Sequence, residues 1–230
     1  MGKRLFKIEE GNLEKITRVV EKEYNEPEKI SDKLLQLYNK NGSSIDPDLF
    51  RKSVEIACKA HDGQLRYSGE PFVVHPLRVA YITSRFTGND GAIYVGNLHD
   101  SVEDSQDPYS IGWEIYKEMG LNIFLGVMGM TKMNKAESEK TKFEKMHYFS
   151  KRYDIDLEPI RVADAIDNLF SIKYLTPEED VTGEKRQQRY CDMVRDFILP
   201  ISQYIDTKKT GNIYGYVASL LEKNEKRINA

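Results

Sequence analysis

Three of the four histidines fall within one stretch, Ala60 to Asp104, as His61, His75 and His99. The stretch closes on the pair His99-Asp100, followed at once by Glu103 and Asp104. Imidazoles beside several carboxylates are the donor chemistry of a divalent metal site, with spare acids left over to handle a proton of water. The apolar Ile93, Val95 and Leu98 predict a helix running through 93–104. On such a helix His99 stacks over Glu103, and Asp100 over Asp104, at i,i+4 spacing. The plainer alternative is a solvated acidic helix end with one capping histidine. That alternative leaves the acids badly placed, because the dipole at a helix C-terminus favours cations.

A site of this kind needs groups from a distant part of the chain. In RVADAIDNLFSI, Asp164 lies among the apolar Val162, Ala163 and Ile166. An unpaired buried carboxylate is costly, so a cation is expected opposite it. That cation is either a metal ion or an arginine such as Arg161 or Arg78. Asn168 is one turn on from Asp164 and shares its face, whereas Asp167 falls to the side.

The elements that must position these residues all read as helices. Apolar residues recur at helical intervals over 12–24 and again over 28–39. Asp46-Pro47 reads as an N-cap with a first-turn proline, opening a helix to about Ala60 that turns Val54, Ile56, Ala57 and Cys58 inward. Gly63 to Pro71 is a polar loop, and Pro76 stands near the start of a helix through about Phe86. Asn89-Asp90-Gly91 caps the helix that carries His99-Asp100. Asp107-Pro108 opens a further stretch, the run Leu121 to Met130 reads as a closely packed helix, and 132–142 reads as a charged loop. Helices are expected from about Phe143 to Arg152, from Glu158 to Leu175, after Thr176-Pro177 or Gly183, and from Tyr214 to Arg227. Residues 41–44 read as a loop. The fold class is therefore all-α, a helical globule. Residues 1–45 read as an N-terminal extension packed on the core, and 46–230 as the domain that holds the site.

Composition sets bounds on function. With 230 residues, 40% hydrophobic and 31% charged, and a net charge of −3, the chain can bury a substantial core and shows no basic footprint for nucleic acid. No apolar run reaches the length of a membrane span, and MGKRLFKIEEGNLEK lacks the apolar core of a secretory signal, so the expected location is the cytoplasm. Cys58 and Cys191 are far apart with no CxxC partner, which points away from a disulfide framework or a thiolate zinc site.

Taken together, the segments AHDGQLRYSGEPFVVHPLRVA, LHDSVEDS, GMTKM and RVADAIDNL make the chain resemble the HD phosphohydrolase superfamily. Within it the likeness is to the Rel/SpoT-type hydrolases that remove pyrophosphate from the 3′ position of the alarmone ppGpp. The segments occur in the family's order across about residues 50 to 175. The resemblance implies an HD-type all-helical fold in which His75, His99, Asp100 and Asp164 hold one divalent metal, most often manganese, with iron as another option. It implies that Glu103 and Asp104 activate the attacking water, that Arg66, Ser68 and Asn168 bind the nucleotide, and that His61 supports the loop from outside the ligand set. The expected partner is a small nucleotide.

Two departures bear on substrate identity. The family usually has Arg-Lys-Ser where this chain has Arg66-Tyr67-Ser68, and ADRLHN where this chain has Ala163 to Asn168 as ADAIDN. A chain of this length is expected to be hydrolytic only, without the synthetase domain of long bifunctional members. The alternatives are an HD phosphohydrolase acting on another phosphorylated nucleotide, and a non-catalytic nucleotide sensor. The intact Glu103-Asp104 pair weighs against the sensor, since a pure binder has little need of a poised base.

Overall fold

The computed structural model describes residues 8–39, 45–132, 137–177, 181–208 and 212–229. Helix α1 spans Glu10–Lys22, α2 Pro27–Asn39, α3 Pro47–Ala60, α4 Val74–Phe86 and α5 Asp90–Leu98. Then come α6 Pro108–Met119, α7 Leu121–Met130, α8 Glu139–Tyr153 and α9 Leu157–Ser171, the last continued by a 3₁₀ turn over Ile172–Tyr174. Helix α10, Gly183–Met193, runs through a π-helical turn, Val194–Ile198, into α11, Leu199–Lys208, and α12 spans Ile213–Ile228. Among the described residues pairing between extended segments goes no further than an isolated bridge such as Leu65 with Pro71. The fold is all-α, as expected. No described helix is long and apolar enough to cross a membrane.

Several boundaries are set by local chemistry legible in the sequence. The Asp46 side chain accepts from the amides of Asp48 and Leu49, with Pro47 at the first helical position. Asn89 accepts from the Ala92 amide to open α5, and Asp107 accepts from the Ser110 amide to open α6 ahead of Pro108. Other boundaries differ from expectation. Helix α8 begins at Glu139, so the end of the charged segment 132–142 is helical; the rest of that segment includes residues outside those described, as do residues 41–44. Cys58 is only half-buried rather than a full core residue, whereas Cys191 is buried.

Helix α4 lies at the centre, packed against α5, α9 and α1. Its apolar residues Leu77, Val79, Ala80 and Ile82 are buried in a core continuous with Ile93 and Val95 of α5 and Val162 and Ile166 of α9. Leu13, Ile16 and Val20 of α1, and Ile30 and Leu34 of α2, join the same core. The α4–α5 contact depends on Gly96. A Cβ there would lie 2.9 Å from Ala80 Cα, so a side chain would force the two helices apart. That close approach sets His75 of α4 beside His99 at the end of α5, with ring centroids 5.2 Å apart.

Candidate metal centre and adjoining cavity

The helix expected through 93–104 stops at Leu98, and 99–103 forms turns. The reason is visible in the first residue past the end: His99 Nδ1 bonds the Gly96 carbonyl at 2.9 Å, within the last turn of the helix. The i,i+4 relation survives once beyond that point, as the Asp104 amide bonds the Asp100 carbonyl at 2.9 Å. With Nδ1 engaged, His99 turns Nε2 inward. That nitrogen is buried and makes no hydrogen bond among the described residues.

The first turn of α4, the turn that follows α5 and the middle of α9 bring the predicted ligands together. Nitrogen or oxygen atoms of His75, His99 and Asp164 lie within 4.8 Å of one another. Asp100 reaches the same point, with Oδ1 3.1 Å from His99 Nε2 and Oδ2 3.4 Å from His75 Nε2. Asp164 Oδ1 is also 3.4 Å from His75 Nε2. Two imidazole nitrogens and two carboxylates form a mixed N/O set, and a buried Nε2 that faces a carboxylate without a hydrogen bond is what a divalent ion would satisfy. The residues present fit such an ion.

The electrostatics of the cluster are those of opposed charges crowded in low dielectric. Burial and the Arg66 charge oppose protonation of His75, yet its bonds with Asp100, Asp164 and Asp167 push its pKa up to about 10. Burial likewise opposes charging His99, but Asp100 raises it. Burial would lift Asp100 and Asp164, while His99 and His75 hold the former well below the carboxylate range and His75 and Arg161 do so for the latter. A divalent cation would take over the role of these protons.

The arginine expected as one possible partner of Asp164 is present as well. Arg161 Nη1 donates to Asp164 Oδ2 at 2.6 Å, and its other terminal nitrogen donates to Glu139 at 2.8 Å. Asn168 Nδ2 donates to Asp164 Oδ1 at 2.6 Å, so both oxygens are anchored from behind while Oδ1 faces the cluster. Arg78, the other arginine considered, goes elsewhere: its Nε is 2.7 Å from Asp167 Oδ1 and its fork grips Glu70 at 2.6 and 3.1 Å.

A cavity of about 510 Å³ opens from the cluster, with His75, Asp100 and Asp164 at its floor. Arg66, Ser68 and Asn168 line it, together with Tyr67, Leu175 and Tyr190. Arg66 is fixed by bonds to Asn168 Oδ1 at 2.8 Å and Ser171 Oγ at 2.9 Å. Its loop turns through Gly69, whose φ of +86° favours glycine, and closes with the Gly69 amide on the Arg66 carbonyl. At the rim Arg186 sits over the Tyr67 ring, 5.1 Å from its centroid, and donates to its hydroxyl.

Glu103 and Asp104 stand outside the residues that line this cavity. Glu103 Oε2 accepts from the Lys132 amide at 2.6 Å, which is what the GMTKM segment contributes here. The Asp104 residue is exposed, yet desolvation by its neighbours together with the charges of Asp100 and Glu103 pushes its pKa up to about 6. His61 is buried against Phe72, with centroids 4.6 Å apart, and its Nδ1 bonds Gln64 Oε1 at 3.0 Å. Gln64 in turn donates to the Asp104 carbonyl at 2.7 Å, so His61 reaches the site through that amide.

Sequence reasoning passed over Asp167. It is fully buried and meets His75 Nδ1 at 2.8 Å. The one available signal was a second acid three residues after Asp164 in an apolar helix, a spacing that places it on an adjoining face.

A family profile described as an HD domain matches residues 53–191. The chain is 32% identical over 158 residues to a guanosine-3′,5′-bis(diphosphate) 3′-pyrophosphohydrolase of Borreliella burgdorferi, covering 66% of this chain and 22% of that protein. It is 33% identical over 130 residues to a protein of the same name from Haemophilus influenzae, covering 54% and 19%. It is 29% identical over 166 residues to a GTP pyrophosphokinase of Myxococcus xanthus, covering 68% and 20%. The chain thus spans about a fifth of the length of these relatives.

Proposed function

The chain belongs to the HD-domain family, and on that premise we propose that it is a metal-dependent phosphohydrolase that removes the 3′-pyrophosphate of guanosine tetra- or pentaphosphate, giving GDP or GTP and pyrophosphate. The observation that carries this reading is the meeting of His75, His99, Asp100 and Asp164, with His75, Asp100 and Asp164 lining a cavity of about 510 Å³ and His99 Nε2 buried without a hydrogen bond. The proposed ligands are those four residues and the proposed ion is manganese, or iron. An N/O set with open positions suits a six-coordinate ion better than a closed tetrahedral zinc site. Bound there, the ion supplies Lewis acidity toward a water and a phosphoryl oxygen.

The chain's own residues do the rest. Arg66, with Nη2 bonded to Asn168 and Ser171, offers a cationic wall for phosphate, and Ser68 lines the same cavity with a hydroxyl. Asp104, carrying a pKa near 6, is suited to take a proton from water near neutral pH. Glu103 is engaged with the Lys132 amide and fits better as the residue that braces this turn. The bond that breaks is the ester between the ribose 3′ oxygen and the pyrophosphate; water adds across it. Helices α1 and α2 are read as an extension packed on the hydrolase domain.

Incubation with Mn²⁺ and ppGpp, with nucleotide and phosphate products resolved by ion-exchange chromatography, tests the proposal. GDP and pyrophosphate in equal amounts are expected. Orthophosphate release from another nucleotide would move the substrate, and binding without release would make the protein a sensor.

A further inference from the structure

We propose that Asp167 is a positioning residue for His75, fixing the imidazole tautomer so that Nε2 faces the metal point, with Arg78 and Glu70 holding Asp167 in place. The inference rests on the reading of His75 as a ligand and adds a residue to that site.

The geometry separates the two edges of the His75 ring. Nε2 looks toward Asp100 and Asp164, each 3.4 Å away, while Nδ1 looks toward Asp167 Oδ2 at 2.8 Å. Asp167 is therefore on the far side of the ring from the point where the other acids converge. It accepts the Nδ1 hydrogen, which leaves the Nε2 lone pair for a cation. A carboxylate behind a ligating imidazole raises its basicity as well as fixing its orientation.

Asp167 is itself tightly held. It is fully buried on α9. Arg78 of α4 faces both of its oxygens, with Nε 2.7 Å from Oδ1 and Nη2 3.2 Å from Oδ2. The Arg78 fork is gripped in turn by both oxygens of Glu70 and also reaches Thr17 Oγ1 at 3.1 Å. The chain Glu70, Arg78, Asp167, His75 thus runs from the nucleotide-binding loop to the metal point. A buried ion pair placed only for packing would have no reason to end on the distal nitrogen of a ligand.

The test is Mn²⁺ affinity of the full chain, read from the electron paramagnetic resonance signal of free Mn²⁺, for wild type and Asp167→Asn. Asparagine keeps the shape and an acceptor oxygen but loses the charge; Mn²⁺ affinity is expected to fall about 10- to 100-fold. Long-range ¹H–¹⁵N spectra of the histidine-labelled, Cd²⁺-loaded protein should show Nδ1–H on His75 in wild type and a mixed or altered state in the variant. Equal Mn²⁺ affinity in a folded Asp167→Asn, or an unchanged His75 spectrum, overturns the inference. If that variant does not fold, Arg78→Lys keeps the charge and loses the fork; several-fold weaker Mn²⁺ binding is expected, and equal binding overturns the inference. A wild type that binds no Mn²⁺ overturns the metal reading and this inference with it. A wild type whose Mn²⁺ affinity depends on Asp167 but which leaves ppGpp intact overturns only the substrate reading.

Discussion

The floor and the rim of the cavity are built differently. At the floor, His75, His99, Asp100 and Asp164 come from helices or the turn just after one, and three of the four have a partner behind them: Gly96 for His99, Arg161 and Asn168 for Asp164, Asp167 for His75. The rim rests on the loop 63–71 and the segment after the 3₁₀ turn, where Leu65 is 67% and Tyr67 56% exposed. Rigid, over-anchored groups suit chemistry that tolerates little displacement, while loop side chains suit selection among ligands. The contrast explains why a rim residue such as Tyr67 can vary without dismantling the donor set.

The comparison can be broken most directly at the floor. His99→Ala and Asp164→Ala should each abolish stoichiometric Mn²⁺, measured by elemental analysis, and bring turnover to background; full metal in both would show that the floor is not a metal site. Next, Asp104→Asn should leave metal in place and lower kcat by about 10²- to 10⁴-fold, the range for a positioned acid-base group. Glu103→Gln should cost less, and the reverse order in steady-state kinetics would exchange their roles.

The pH dependence sharpens the floor further. Asp100, Asp164 and Asp167 push the His75 pKa up to about 10, so a cation competes with that proton. Mn²⁺ affinity should therefore rise with pH, by about tenfold per unit between 7 and 9. A flat profile by calorimetry in buffers of different ionisation heat would mean that His75 binds already deprotonated.

Rim substitutions should act on KM. Arg66→Ala removes a charged donor and should raise KM about 10-fold or more, the scale of hydrogen bonds to charged groups, with a smaller effect on kcat. Tyr67→Lys removes the ring under Arg186, an exposed contact worth about 0.5–1 kcal/mol, and should change KM only a few-fold while altering the ranking of nucleotides. A rim substitution that empties the metal site would erase the distinction drawn between the two regions.

Much of this was legible before any coordinates. Asp46, Asn89 and Asp107 cap their helices through bonds within three residues, so residue type and spacing sufficed. The all-helical class followed from apolar periodicity. The helix expected to continue through 93–104 fails at Leu98 because the His99 ring bonds a carbonyl of the last turn, a competition between side chain and backbone that periodicity does not register. Asp167 was passed over because its importance depends on α4 lying against α9.

Local order along the chain was enough to say which side chains are chemically able, and that a buried Asp164 needs a cation. It was not enough to say that Arg78 takes Asp167, nor that Glu103 accepts from the Lys132 amide. Caps and periodicity are interactions over a few residues, and they survive in any packing. Pairings across 8 to 92 positions exist only once α4, α5 and α9 have closed on one another around Gly96.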